Sequence, residues 1–517
     1  MHNATPQQFD FYRWLDQGQG NAVLEAVAGS GKTTSIIEGL NYIDDVEPVL
    51  LCSFTKLIAT ELQRRAQEAN FRNVTSTTLN ALGWGVCRRN VSGVQLDQYK
   101  TENILQWQID NQQRYSGLDP KKIFQSLRGP VKKLVGLLKA YVVTGNIIER
   151  AEEIAAYHSV DLPEGNTKEA QFARETLYEK VVSVYLQSNE VTSMMDYDDM
   201  KFMPVYYKWD VPKYKWVIVD EVQDVNACDI ALIEKLHMAG RARVVGVGDR
   251  MQAIYLFRGA LNDAMEIFQK QFDAVQMPLT VCWRCPAAII EEGKKTNPAI
   301  EGPVPNPKGD GIVRTVETLE FLEQVRIGDF VICRTTAPLV KRCLKLVQNG
   351  IPAKVKGREV GRSLLAVIDK VIGRMPKFDG AANASLLEFV AELSNYKVET
   401  VANLEAMKRE DSAIRVQDEC EALEYFCMEA YNVDGVANRI NTLFTDDQDD
   451  AAIVLFLTGH KCKGLQNPRV WFLRPDLCPH PKAAQPHEQD QEIHIRHIIV
   501  TRAEKELVFV NKEKDEK

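Results

Sequence analysis

The stretch EAVAGSGKTTS (Glu25 to Ser35) decides how the rest of the chain is read. It follows a short apolar run, NAVLEA, and leads into SIIEGL, so it reads as a strand, a glycine-rich loop and the start of a helix. Ala26 stands in the leading position of the phosphate-loop pattern, followed by Gly31, Lys32 and Thr33. In such a loop, here Ala28, Gly29, Ser30 and Gly31, backbone N–H groups close around phosphate oxygens at a helix N-terminus. Lys32 then supplies charge to the β and γ phosphates, Thr33 offers a hydroxyl to Mg²⁺, and Thr34 follows. The expectation is a nucleotide site with its metal ion.

Other apolar runs end in polar residues in the same way: PVLLCSFT, KWVIVDE, RVVGVGD, DFVICR and IVLFLT. Runs with no polar face are buried on both sides, as in a parallel sheet flanked by helices, and in such sheets ligands bind beyond the carboxyl ends of the strands. Two intervening stretches instead show helical spacing, one around residues 91–194 and one around 376–450. The chain thus alternates α/β, helical, α/β, helical, α/β. This predicts two α/β cores, the first from 1–90 and 195–280 and the second from 281–375 and 451–517, each interrupted by a mainly helical insertion, the second one reduced.

Bulk properties narrow the classes. A chain of 517 residues with 45% hydrophobic and 26% charged residues is long enough for about three or four ordinary domains. No apolar run approaches the roughly 20 residues that span a bilayer, and the N-terminus lacks the layout of a signal peptide, so the expected location is the cytoplasm and no membrane is expected as a partner. The odd count of 11 cysteines argues against a disulfide framework. A net charge of -8 means that any grip on nucleic acid must come from local patches. One candidate patch is KKIFQSLRGPVKKLVGLLKA, with Lys121, Lys122, Arg128, Lys132, Lys133 and Lys139; a solvated helix face is the equal alternative.

The strand KWVIVD ends in Asp220-Glu221, placed for Asp220 to hold the Mg²⁺ shell and Glu221 to polarise an attacking water. After it come GDRMQAIYLFRGA (248 to 260), WRCP (283 to 286), GHKCKGLQ (459 to 466) and VTRAEKEL (500 to 507). With DEVQD (220 to 224) and the phosphate loop, this ordered series resembles the motifs of UvrD/Rep-type superfamily 1 helicases, across both α/β cores but not the helical insertions.

What the resemblance implies is specific. The cores become RecA-like P-loop NTPase cores that hydrolyse ATP with Mg²⁺ in the cleft between them. Gln8 matches the glutamine that reads the adenine edge, and Gln252 the γ-phosphate sensor. Arg284 and Arg502 match the two arginines that reach the γ-phosphate from the second core. Trp283 stands where the family usually stacks a Tyr on the base, and Gln466 where it often has a Glu toward the ribose. For single-stranded DNA, Phe54, Thr55, Asn80, Tyr255, Phe257, Arg258 and His460 match strand-contacting positions; Asn80 replaces a common His, and Phe257 an aromatic that is often Trp.

The implied activity is ATP-dependent translocation on single-stranded DNA with 3′-to-5′ polarity, and unwinding at single/double-strand junctions. The alternative is a DNA-stimulated ATPase that serves as the motor subunit of a larger repair, replication or defence complex without unwinding alone. A third possibility, a metal or redox module, has two candidate sites: the pair Cys282/Cys285, and the segment 478–497 with Cys478, His480, His487, His494 and His497. The spacing of the latter is looser than the paired ligands of tetrahedral zinc, and a polar loop is the expected reading. The thiols of CWRC are expected to be packing residues.

Overall fold

Val49–Ser53 and Trp216–Asp220 have no polar face, and every residue in both is buried. A strand of this kind must be covered on two sides, which a parallel sheet between helical layers provides. The computed structural model forms such sheets. It describes residues 4–111, 117–158, 160–163, 167–255, 259–261, 263–375, 385–407, 409–445, 452–480, 483 and 486–513. The chain divides into two units, Met1–Ala26 with Gly31–Leu279, and Val27–Ser30 with Thr280–Lys517.

Along the first unit run β1 (Asn21–Ala26), β2 (Val49–Ser53), β3 (Val74–Thr78), β4 (Gln95–Leu96), β5 (Met194–Met195), β6 (Trp216–Asp220), β7 (Arg243–Gly248) and β8 (Ala274–Leu279). Six of them make one parallel sheet in the order β3-β2-β6-β7-β1-β8. Register places Cys52 beside Val219 and Asp220 beside Val247. The carboxyl ends of β2, β6, β7 and β1 therefore share one edge, and the polar tails of PVLLCSFT, KWVIVDE and RVVGVGD leave from it together with the loop after β1.

Between β3 and β6 the chain is helical. The Leu79–Asn90, Lys100–Asp110, Pro120–Ala140, Ile147–Tyr157, Lys168–Glu190 and Asp199–Tyr206 helices bury a common core that includes Leu127, Leu134, Leu138, Val181, Val184 and Phe202. The two-residue strands β4 and β5 pair in parallel, Gln95 with Met194, where this stretch leaves and returns.

Inside it lies a fully buried charge network. Asp199 takes Lys100 Nζ at 2.7 Å and Lys139 Nζ at 2.8 Å, and Lys139 also reaches Asp196 at 3.1 Å. Lys139 donates further to Ser188 Oγ at 3.0 Å, and Thr101 Oγ1 to Asp196 at 3.1 Å. Two cations and two anions cancel, and hydroxyls complete the geometry; without this pairing each ion would bear an uncompensated desolvation cost.

The second unit carries β9 (Ile312–Val316), β10 (Phe330–Cys333), β11 (Ala353–Lys356), β12 (Phe444–Thr445), β13 (Val454–Thr458), β14 (Asn467–Leu473) and β15 (Ala503–Val510). They form a parallel sheet in the order β12-β11-β13-β10-β14-β15-β9. Among the described residues, the Leu386–Ala406, Glu410–Met428 and Val433–Leu443 helices share one hydrophobic cluster with this sheet. Phe389, Leu393, Leu423 and Phe426 belong to the same hydrophobic cluster as Val331, Val355 and Phe456 of the sheet. The fold class is thus α/β, with two parallel sheets flanked by helices, and among the described residues no helix is long and apolar enough to cross a membrane.

Removing one member of the buried network should leave an unmatched carboxylate in the interior. Lys139→Ala is expected to cost about 3–5 kcal/mol of stability, read by urea unfolding. A loss below about 1 kcal/mol, the size expected of an exposed pair, would contradict the assignment.

Candidate functional site

The loop after β1 turns on glycine. Gly29 has φ +71° and Gly31 φ +84°, a backbone region that L side chains rarely adopt. Gly31 is the N-cap of the Lys32–Gly39 helix, and no side chain caps that helix, so its first N–H groups face outward without a competing acceptor. Ser30 Oγ is buried without a hydrogen-bond partner. Thr33 and Thr34 sit half-buried in the first turn of the helix.

Lys32 Nζ lies 3.0 Å from Glu221 Oε2. Burial opposes its charge, but Glu221, Asp220 and Asp249 outweigh that and hold the ammonium above its ordinary pKa. Asp220, at the end of β6, is buried, and its Oδ1 accepts the N–H of Glu221 at 2.9 Å. Burial, then the charge of Glu221, push its carboxyl up to about 7, with Lys32 pulling the other way. Glu221 itself takes φ +55°, the left-handed region, which turns its carboxylate toward Lys32.

A chain of hydrogen bonds leads onward. Gln223 donates to Glu221, and its Oε1 accepts the Asp249 N–H at 3.0 Å; Asp249 Oδ2 accepts from Gln252 Nε2 at 2.6 Å. Gln252 is therefore linked to the Lys32 cluster through two residues that were not singled out, although both lie inside the quoted motifs DEVQD and GDRMQ.

Gln8 sits against the same helix. Its Nε2 donates to Ser35 Oγ at 2.8 Å, and its Oε1 accepts the Thr5 N–H at 2.9 Å in a capping box. Its amide keeps one N–H beyond these bonds.

Of the strand-contacting candidates, Phe54 is exposed and lies parallel to Tyr255, ring centroids 5.9 Å apart and planes within 3°. Thr55 caps the Lys56–Glu68 helix, its hydroxyl accepting from Ile58. Asn80 donates to the Tyr197 carbonyl at 3.1 Å. A cavity of about 360 Å³ is lined by Asp220 and Glu221 and also by Phe54 and Asn80, joining the carboxylates to the aromatic edge within one unit. Phe257 and Arg258 lie outside the described residues.

In the second unit, Arg284 and Arg502 meet at Thr501. Arg284 donates to the Thr501 carbonyl at 3.4 Å, and Arg502, fully buried, donates to the Ile498 and Leu465 carbonyls and to Thr501 Oγ1. Trp283 and His460 are half-buried, and Gln466 is exposed. Cys282 and Cys285 are free thiols and fully buried, and Cys285 Sγ donates to the Thr501 carbonyl at 3.7 Å. Among the described residues no group of three or more His, Cys, Asp or Glu is placed to hold a metal ion, which includes the described part of the 478–497 segment.

A buried carboxylate, Asp220, beside the half-buried Glu221 makes this site costly to the empty protein. Because the folded pKa of Asp220 lies above the usual carboxylate range, its contribution to stability falls as pH rises from that range toward 7. Asp220→Asn should therefore stabilise the protein without nucleotide or divalent metal, by up to about 4 kcal/mol. Thermal unfolding of both forms checks this: the advantage of the variant should be larger at about pH 8 than at about pH 5, and a pH-independent gap would contradict it.

Among known proteins, the chain is 23% identical over 279 residues to the ATP-dependent DNA helicase Rep of Salmonella typhimurium, covering 50% of this chain and 38% of that protein. To a probable DNA helicase II homolog of Mycoplasma capricolum it is 26% identical over 284 residues, covering 52% of this chain and 37% of that protein. The matched part thus spans under two fifths of these curated relatives. Among solved structures, an arterivirus nonstructural protein 10 (helicase) overlays with a TM-score of 0.34 at 12% identity, covering 99% of this chain and 62% of that one, too slight a likeness to bear on the fold. The family model described as the UvrD/REP helicase N-terminal domain matches residues 10–273, more than half of the chain, and the protein belongs to that family.

Proposed function

We propose that the protein is an ATP-dependent single-stranded DNA translocase and DNA helicase of 3′-to-5′ polarity. The observation that carries this reading is the continuity inside the first unit: Lys32, Glu221 and Asp220 connect through Gln223 and Asp249 to Gln252, and through one cavity to Phe54 and Asn80. A change at the γ-phosphate can thereby alter the surface that holds a base.

The residues present fit a nucleoside triphosphate and its metal. The uncapped helix start and the partnerless Ser30 hydroxyl supply donors, and the crowded carboxylates Asp220 and Glu221 are a pair whose repulsion a divalent cation relieves. Asp220 and Thr33 are the proposed Mg²⁺ holders; the bound ion would neutralise phosphate charge. Lys32 orients the β and γ phosphates, and Glu221 holds the proton acceptor position for the attacking water. Gln8, Trp283 and Gln466 face the base and sugar in this reading. Arg284 and Arg502 stabilise charge on the transferring phosphoryl group, and Arg502 must first release part of its backbone bonding.

On the DNA, Phe54 and Tyr255 take bases, each stacked base contributing roughly 1 to 3 kcal/mol, while Thr55, Asn80, Phe257, Arg258 and His460 complete the track. One observation favours the second reading, a DNA-stimulated motor subunit without unwinding of its own. The helices from 386 to 443 share the hydrophobic cluster of the second sheet, so among the described residues that stretch forms a cover layer and not a separate body able to engage duplex.

Lys32→Ala should reduce ATP turnover at least about a hundredfold, and hydrolysis retained near the parent rate would undo the site. Phe54→Ala should raise the single-stranded DNA concentration needed for half-stimulation by about tenfold. A strand-displacement assay on a 3′-tailed duplex separates the readings: displaced strand supports the helicase, and DNA-stimulated hydrolysis without displacement supports the motor subunit.

A further inference from the structure

On the Pro120–Ala140 helix, Gly129, Lys132, Lys133 and Gly136 follow the i, i+3, i+4, i+7 spacing that shares one helix face. That face lines a cavity of about 540 Å³, and Phe54, Asn80 and Tyr255 line the same cavity from the α/β core. The basic run noticed in the sequence thus divides: Lys132 and Lys133 border the cavity, Lys139 is buried in the charge network, and Lys121 and Lys122 are not part of the cavity lining.

The glycines on this face differ. A Cβ at Gly136 would stand 2.9 Å from Asp198 Oδ2, so packing accounts for that position. A Cβ at Gly129 would meet nothing within 4 Å. A helix-weakening glycine with no internal neighbour leaves room beside the cavity that the protein itself does not fill.

The helix is also held in place. Lys139, two turns beyond Lys132, is locked by Asp196, Asp199 and Ser188. The acids that line the cavity are partly compensated: Lys201 pairs with Asp229 at 2.6 Å, and burial, then the charge of Asp196, push the Asp198 carboxyl toward its neutral form; Asp224 of the DEVQD motif also lines the cavity. Lys132 pairs with Glu102 at 2.5 Å, and Arg128 stands 3.7 Å from the same oxygen, so the lysine can turn to another anion without leaving that carboxylate bare.

We propose that this helix face is the phosphate-binding wall of the DNA track. Lys132 and Lys133 contact backbone phosphates of the single strand whose bases lie against Phe54 and Tyr255, and Gly129 leaves space for the sugar–phosphate chain. The inference rests on the proposed function, in which a single strand occupies the Phe54–Tyr255 edge.

The test is the salt dependence of binding to fluorescently labelled oligo-dT, measured by anisotropy on the full chain. Each lost phosphate contact lowers the slope of log K against log salt by about 0.7 on single strands, so Lys132→Ala/Lys133→Ala should lower it by about 1.4. Lys121→Ala/Lys122→Ala, with the same charge change on the same helix, should leave the slope as in the parent. Gly129→Leu should weaken binding at fixed salt with an unchanged slope and an unfolding temperature no lower than that of the parent. An unaltered slope in the 132/133 variant, or an equal fall in both lysine pairs, overturns the wall while leaving the proposed function standing. A parent protein that binds no oligo-dT overturns both.

Discussion

Lys32, Asp220 and Glu221 are one half-buried ammonium, one buried carboxylate and one half-buried carboxylate, gathered at the ends of β1 and β6, two strands that are separated by β7. No local sequence preference brings them together. Parallel register does, because it aligns the carboxyl ends of the strands on one edge, and each strand is held there by burial of both its faces. Without that register, Lys32 and Glu221 would remain 189 positions apart in the chain with no reason to meet. The left-handed backbone at Glu221 and the glycine conformations of the loop after β1 are tolerated because the sheet fixes what lies on either side of them.

The same edge explains how a small chemical event can reach a distant surface. Gln223 and Asp249 are short links between strand ends, and through them Glu221 and Gln252 belong to one chain of hydrogen bonds, the route along which the proposed function passes a change at Glu221. The site is also destabilising: burial and the charge of Glu221 push the Asp220 carboxyl upward, an arrangement that fits the proposed divalent cation. The Lys100–Lys139–Asp196–Asp199 network serves the opposite purpose. Its two cations and two anions pair with one another, and it ties together the helices that border the aromatic edge.

The fold class was legible because unbroken apolar runs with polar tails can be satisfied only in a covered parallel sheet. That the loop after Ala26 and the Asp220-Glu221 step each leave the end of a strand was legible for the same reason. What the sequence could not show was which partner each side chain takes at long range. Thr55 matches a strand-contacting position yet caps a helix, Asn80 is engaged with the Tyr197 carbonyl, and Arg502 is bound to backbone carbonyls. Lys139 looked like one member of a surface run, and only the fold brings Asp196 and Asp199 to it, because helices of similar composition differ in what packs on them and not in their spacing. The helical spacing of 376–450 likewise gave no sign that apolar residues such as Phe389 and Phe426 would join the core of the second sheet.

The central claim is that the Lys32–Asp220–Glu221 cluster hydrolyses ATP in response to single-stranded DNA. The most direct measurement is DNA-stimulated ATP turnover in Glu221→Gln beside binding of a fluorescent ATP analogue to the same preparation. Nucleotide binding is expected to persist while turnover, with or without DNA, falls to background. Turnover that persists in this variant and still rises with DNA would contradict the claim.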